Sequence, residues 1–388
     1  MCIWKRSLGM DTGDAKIMKV TLNREKLKSC LHYTSMIIDG GRKGGVSPLY
    51  TQVQFDFIDN ILVLSSYDSA YGLQIVYGEA NHPNARFLVD SESISHLMTF
   101  SDEVDLEFDF KEASLVIKEG KSKYRFTYFK TEGADLSQIF SNCIDLKEPI
   151  LTTTPEEFEK IAKFLEPAIA NDAARPYLNG IQYDGNFVSA SENVCGIVSA
   201  KPVQEKKIFL VSGGLDLIYS LPQGQEISIY DLGRLTAVKS GVITIIMPQI
   251  SGEFPTYSRI IDKTSAYPYS FDIKRSAFQK MCAKLVPFSD KHHLAKASVV
   301  FTKDSTVVLH ASSEDREGTE PLVALSCVPP TTDLSFLVNI KRFEKIIGVL
   351  PTDTLTIKYS DDIKAPLVLT DNKNFYGYFA VYSPTTYQ

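Results

Sequence analysis

No apolar run in this chain approaches the roughly 20 residues an α-helix needs to cross a bilayer, so the sequence is read without a membrane-spanning helix. Its basic start, MCIWKRSLGMDTGDAKIM, is not followed by a long apolar segment, which argues against a secretory signal. Cys-x-x-Cys and paired His/Cys spacings are missing. The six cysteines, Cys2, Cys30, Cys143, Cys195, Cys282 and Cys327, are scattered, which suits free thiols in a reducing cytosol rather than a disulfide framework. His292-His293 lacks a third ligand at useful spacing, so no metal site is expected. GxSxG, the P-loop and GxGxxG are also missing, which removes the enzyme classes those motifs announce. Nor is there a large excess of one charge. Forty-one Lys and Arg stand against 47 Asp and Glu, a net charge of −6, which advertises neither nucleic acid nor an anionic membrane as a whole but leaves local patches open. The expectation is a cytoplasmic protein without cofactor, metal, membrane association or enzymatic activity.

What the chain does have is length and repetition. At 388 residues, with 44% hydrophobic and 23% charged residues, it exceeds one typical domain and carries material for several cores. Three stretches share a pattern: FLVDSESISHLMTFSDEVDLEFDFKEASLVIK (87–118), FLVSGGLDLIYSLPQGQEISIYDLGRLTAVKS (209–240) and FLVNIKRFEKIIGVLPTDTLTIKYSDDIKAPLVLTD (336–371). Each reads as a strand, a short helix and two strands. Gly213-Gly214, which resembles a phosphate-binding turn, is thereby the counterpart of Asp90-Ser91 at an ordinary helix start. In the third copy Phe343, Ile346, Ile347 and Leu350 form the core face, with Lys341, Arg342 and Lys345 away from it.

Upstream of each copy lies a second helix: residues 22–37, 153–170 and 273–286. The middle one has a Thr cap, Pro155 at its first position and acids in its first turn. Short strands precede these helices at 18–22, 149–153 and 269–273, and hairpins follow with turns at Asp59-Asn60, Asp184-Gly185-Asn186 and Lys303-Asp304. A period of about 120 residues is too long for a solenoid unit. It predicts an α+β protein of three tandem homologous domains, each with two helices packed on antiparallel sheets: 18–146, 147–265 and 266–388, joined by extended, turn-rich segments at 145–149 and 262–266. Residues 1–17 read as a loose N-terminal extension, with Met10 and Met18 as alternative starts.

At this point the sequence resembles a known family, the bacterial-type DNA polymerase III β sliding clamp. Arg175-Pro176-Tyr177-Leu178-Asn179-Gly180 matches its R-x-Y-L-N-G strand. Gly252-Glu253-Phe254-Pro255-Thr256-Tyr257-Ser258-Arg259-Ile260-Ile261 matches its G-x-F-P-D-Y-x-R-V-(I/L) loop. The end, Tyr378-Phe379-Ala380-Val381-Tyr382-Ser383-Pro384, resembles its apolar terminal strand. The likeness covers residues 18–388. The family's T-D-G-H-R-L stretch is absent: Ala190-Ser191-Glu192-Asn193-Val194-Cys195 stands in its place, and the basic, apolar finish is missing too.

The resemblance implies a homodimeric, head-to-tail ring that encircles double-stranded DNA without reading sequence. It also implies tethering of the polymerase, with DNA polymerase and clamp loader inserting short apolar peptide motifs between the second and third domains. The edges that would join two chains are Ser122–Phe126 and residues near Leu285–Phe288. Cations on the helices suit loose phosphate attraction: Arg24, Lys26 and Lys28; Lys160 and Lys163 on an acid-rich middle helix; Lys274, Arg275, Lys280 and Lys284; Lys341, Arg342 and Lys345. For any one of them a plain solvated helix face is an equal reading. Arg42 and Lys43, in the glycine-rich loop 40–45, could touch DNA or simply belong to a flexible loop. The groove residues carried over are Leu178, Pro255, Ile260, Val381 and Tyr382, each of which alone reads as packing. Two alternatives stay open: a non-replicative interaction scaffold of the same fold, and an unrelated enzyme or carbohydrate-binding α+β protein.

Overall fold

The computed structural model of the chain describes residues 18–38, 48–100, 105–111, 114–127, 136–143, 146, 148–191, 194–199, 206–250, 252–289 and 295–381. The same order of elements recurs three times. The first pass is β1 (Met18–Asn23), α1 (Arg24–Ile38), β2 (Gln52–Ile58), β3 (Ile61–Tyr67), β4 (Gly72–Glu79), β5 (Ala85–Asp90), α2 (Ser91–Phe100), β6 (Asp105–Lys111), β7 (Ser114–Glu119) and β8 (Ser122–Thr127). The second is β9 (Leu151–Thr153), α3 (Pro155–Leu165), β10 (Gly180–Tyr183), β11 (Asn186–Ala190), β12 (Val194–Ser199), β13 (Ile208–Val211), α4 (Ser212–Tyr219), β14 (Ile227–Asp231), β15 (Leu235–Ser240) and β16 (Ile243–Pro248). After α5 (Ser258–Ser265), the third runs β17 (Tyr269–Lys274), α6 (Arg275–Leu285), β18 (Lys296–Phe301), β19 (Thr306–Ser313), β20 (Arg316–Val323), the added β21 (Ser326–Val328), β22 (Leu334–Asn339), α7 (Ile340–Val349), β23 (Thr354–Tyr359), β24 (Leu367–Thr370) and β25 (Phe375–Phe379).

Local chemistry sets these boundaries. Asn23, Asp90 and Asn339 cap α1, α2 and α7: their side-chain oxygens accept the N–H of Lys26 at 3.0 Å, Ser93 at 2.8 Å and Arg342 at 3.0 Å. The β2–β3 hairpin turns on Asp59 (φ 50°) and Asn60 (φ 64°), both left-handed as a two-residue turn requires.

The sheets cut across the sequence repeats. Each pass makes two half-sheets, one from the strands between its helices and one from the first strand with the last three. The order β5-β2-β3-β4 of the first pass continues through β16-β15-β14-β9 of the second, giving eight strands. The order β13-β10-β11-β12 continues through β25-β24-β23-β17 of the third, with β21 on the edge, giving nine. Two half-sheets stand alone, β1-β6-β7-β8 and β20-β19-β18-β22. The chain accordingly divides into two compact units, residues 1–155 with 216–249 and residues 156–215 with 250–388. Each holds one long sheet and one lone half-sheet, so the middle repeat is shared between them.

In the first unit α1 packs on α2 and on β3 and β4, burying Leu27, Cys30, Leu31 and Ile37. In the second, α6 packs on α7, with Phe278 and Phe343 edge-on at 5.8 Å. Phe301 stacks on Tyr359 at 4.1 Å in the same unit. Fully burying such rings stabilises by about 2 kcal/mol each.

Two sequence expectations need correction. The segment 175–180 is not a strand from its start. Pro176–Leu178 form a 3-10 turn and β10 begins only at Gly180, because Pro176 has no N–H to give a ladder. The joint expected to be extended at 262–266 is mostly helix α5. Its two turns carry no side-chain N-cap and are rich in Ser, Thr and Asp, so propensity did not announce them.

Candidate partner groove and cation-bearing helices

The R-x-Y-L-N-G stretch is built by Asp172. Its Oδ1 accepts the N–H of Ala174 at 2.8 Å and Arg175 at 3.1 Å, and its Oδ2 accepts Arg175 Nε at 2.6 Å. Asn179 closes the turn, accepting Asp172 N–H at Oδ1 and donating Nδ2 to Asp172 O, both at 2.9 Å. At Gly180 a Cβ would stand 2.2 Å from Leu210 O, so only glycine lets β10 lie against β13. The product of this turn is the inward placement of Leu178, which is buried.

Leu178 joins Val188, Ala190, Cys195, Ile197, Val368 and Tyr378 in an apolar cluster on the nine-stranded sheet, where β12 meets β25. Phe254, Tyr257, Ile260, Ile261, Tyr267 and Tyr376 pack on it from the outside. Of the five residues expected at a groove, Leu178 and Ile260 are therefore together. Pro255 is exposed, Val381 is half-buried at the end of the described chain, and Tyr382 lies outside the described residues. The sequence reading missed the tyrosines. Two signals pointed to them: Tyr257, Ile260, Ile261 and Thr264 fall at i, i+3, i+4 and i+7, and Tyr376 and Tyr378 alternate on one strand face.

Tyr257 is held by polar partners, donating its hydroxyl to Asp184 Oδ1 at 2.6 Å and accepting Asn186 Nδ2 at 3.3 Å. Burial first, then Asp184, pushes its pKa up to about 12. Burial likewise raises Tyr267, Tyr378 and Cys195 to about 12 each. All four groups are neutral when protonated and their folded pKa values are raised. Their contribution is thus complete below the ordinary values of 9.0 for Cys and 10.0 for Tyr and is lost as pH climbs through 12. The expected result is a urea midpoint for the second unit that is level up to pH 9.0 and falls steadily beyond it. Titrating Tyr257→Phe alongside should show a shallower fall, and a flat profile to pH 12 would contradict the assignment.

The expected DNA-facing cations separate into two kinds. Lys28, Lys160, Lys274, Lys280, Lys341 and Lys345 are exposed and make no ion pair among the described residues. The others are engaged. Arg24 meets Glu25 at 2.5 Å, Lys163 meets Glu159 at 2.5 Å and Lys284 meets Glu320 at 2.9 Å. Lys26 Nζ lies 4.6 Å over the Tyr77 ring. Arg342 donates to Ser191 Oγ. Arg275 is half-buried and donates Nε to Thr352 O at 2.7 Å and Nη1 to Ile347 O at 3.4 Å and Gly348 O at 3.1 Å, so its charge seals the end of α7. Arg42 and Lys43 lie outside the described residues. Among those described, no group of three or more His, Cys, Asp or Glu is arranged to hold a metal, and no helix is long and apolar enough to cross a membrane.

By sequence, no family model and no curated protein matches the chain. By structure, solved proteins do. The DNA polymerase sliding clamp of Bacillus subtilis is 10% identical with a TM-score of 0.82, over 95% of this chain and 100% of that one. The DNA polymerase III β subunit of Thermotoga maritima is 17% identical with a TM-score of 0.76, over 94% and 99%. The Pseudomonas aeruginosa DnaN sliding clamp bound to griselimycin is 14% identical with a TM-score of 0.80, over 95% and 100%. From β1 to β25, the fold of this chain is that of the DNA polymerase III β sliding clamps.

Proposed function

We propose that the chain is a DNA sliding clamp, a cytoplasmic processivity factor rather than an enzyme, made of three clamp domains at 18–146, 147–265 and 266–388. Two copies close into a ring around duplex DNA and tether the replicative polymerase. One observation carries this reading. Each repeat offers two half-sheets, neighbouring repeats join them edge to edge, and the two left over, β1-β6-β7-β8 and β20-β19-β18-β22, lie in the first and last repeats. A chain that pairs half-sheets this way has one open edge of each kind, which a second copy satisfies head to tail. The likeness to clamps along 94% of the chain supports it.

The six exposed lysines without ion pairs supply phosphate attraction that a sliding ring tolerates, since mobile ammonium groups hold no register. The apolar cluster around Leu178 and Ile260 supplies the seat for short apolar motifs of polymerase and loader. The test is loader-dependent stimulation of a polymerase on primed circular DNA. Long products with the chain, and none without a loader, are expected. Loading onto circles without stimulation would favour the non-replicative scaffold instead. Changing Lys280, Lys341 and Lys345 to Glu should leave the fold intact. It should lower the log–log salt slope of unloaded duplex binding by about one per lysine, read by fluorescence anisotropy between low and moderate salt. An unchanged slope would remove these lysines from the DNA path.

A further inference from the structure

The two junctions inside the chain share one register, pair for pair, and that register specifies the third. In the β3–β4 hairpin the last bonded pair before the turn is Asp68 with Tyr71, at 3.0 Å, and in β11–β12 it is Ser191 with Val194, at 2.8 Å. In β19–β20, Ala324 N–H donates to Ser305 O at 3.0 Å. The alternation of an antiparallel ladder then makes Ser313 with Arg316 the corresponding bonded pair. Tyr71, Val194 and Arg316 are therefore equivalent. On the other side, β16 and β8 begin at Ile243 and Ser122 after the two-residue turns 241–242 and 120–121, and β25 begins at Phe375 after the three-residue turn 372–374, so that each of the three is the residue that closes its own turn.

From these origins the first junction pairs Gly72 with Ile246 and Gln74 with Thr244, and ends with Val76 N–H donating to Val242 O at 3.1 Å. The second pairs Cys195 with Tyr378 and Ile197 with Tyr376, and ends with Ser199 N–H donating to Asn374 O at 2.8 Å. Each position in one junction maps onto the same position in the other. Carried to the open edges, the map reads Glu317 with Arg125, Thr319 with Lys123 and Pro321 with Lys121. The map sets opposite charges face to face at one pair, Arg125 on β8 and Glu317 on β20, both exposed, with Lys121 and Lys123 adding positive charge along the β8 edge; Glu320 is already held by Lys284 of α6. The last position breaks the pattern. Where Val76 and Ser199 give their N–H, Pro321 has none.

We infer that a second copy of this chain docks its β8 on β20 in the register Glu317·Arg125, Thr319·Lys123, Pro321·Lys121, and that Pro321 removes from this junction the terminal hydrogen bond that closes both junctions within the chain. The inference rests on the proposed ring. It makes the joint between chains weaker than those within a chain, in a protein that must open to admit DNA. It also blunts an edge strand that would otherwise be a full template for further pairing.

Sedimentation equilibrium of the full chain and its variants tests this. A ring holds the junction twice, so each change acts twice. Glu317→Arg and Arg125→Glu should each weaken the dimer by about tenfold or more, and the two together in one chain should restore it. Pro321→Val should tighten it by roughly tenfold. Thr319→Cys with Lys123→Cys occupies a bonded pair, with Cα atoms about 5.5 Å apart, and should crosslink chains on oxidation. A dimer indifferent to the charge reversals and to Pro321→Val, with no crosslink, overturns the register. A wild-type chain that stays monomeric at every concentration overturns the ring itself. Association beyond a dimer in the wild type would show that these edges do not close.

Discussion

Arg275→Ala is expected to lower the stability of the second compact unit by about 3 kcal/mol. The last carbonyls of a helix have no partner within the helix. At the end of α7 those of Ile347 and Gly348, with Thr352 O just beyond, are gathered by one guanidinium. A hydrogen bond to a charged donor is worth about 1.5–3 kcal/mol, and removing the donor also leaves half-buried acceptors without it. The positive charge further suits the negative end of the helix dipole. Arg275→Lys should recover only part of the loss, because an ammonium cannot span three carbonyls as a planar fork does. Lys280→Glu, on the same helix but exposed, should stay within about 0.5 kcal/mol of wild type. Urea unfolding followed at the second unit, with amide exchange at α7, reads the difference. An Arg275→Ala chain as stable as wild type would mean the guanidinium is solvated after all, and would return Arg275 to the DNA-facing set.

That residue also marks where the sequence stopped being legible. Periodicity found α1, α3, α6 and α7 within one or two residues at most ends, because each buries an apolar stripe that repeats at helical spacing. The triple order of elements was legible for the same reason. What periodicity cannot see is where a side chain ends. Arg275 and Lys280 look alike on a helical wheel, yet one reaches carbonyls 72 to 77 positions away and the other points to solvent. The sheets were hidden more deeply. Nothing local in β4 or β12 says that its open edge meets the last strand of the next repeat, so three repeats in sequence became two compact units in space. The groove was half legible. Leu178 and Ile260 came from motif likeness, and Tyr257 and Tyr378 stand in the same matched stretches without having been assigned to the groove, whereas no shared motif carries Tyr267 or Tyr376.

The second large effect is expected at that groove. Ile260→Glu should weaken binding of a leucine- and phenylalanine-bearing peptide by about a hundredfold while leaving the fold in place. The side chain is half-buried on α5 and packs on the cluster of Leu178, Cys195 and Tyr378 from the outside, so a carboxylate there has water within reach in the free protein. A seated apolar peptide would remove that water, and an unpaired charge desolvated at the centre of an interface is among the most damaging changes known. Arg259→Glu, exposed on the neighbouring position of the same helix, controls for charge alone and should change binding less than threefold. Pro255→Ala should also do little, since Pro255 is exposed. The tyrosines shift preference rather than strength. Tyr376 and Tyr378 lie nearly parallel with centroids 6.5 Å apart, and Tyr257, Tyr267 and Tyr376 set their rings around the apolar cluster while giving their hydroxyls to Asp184 Oδ1, Pro366 O and Lys373 O. Peptides that end in an aromatic ring should therefore outcompete purely aliphatic ones. Isothermal titration of both peptide kinds against wild type, Ile260→Glu and Arg259→Glu decides it. Equal binding by all three proteins would place the partner site away from the junction of β12 and β25.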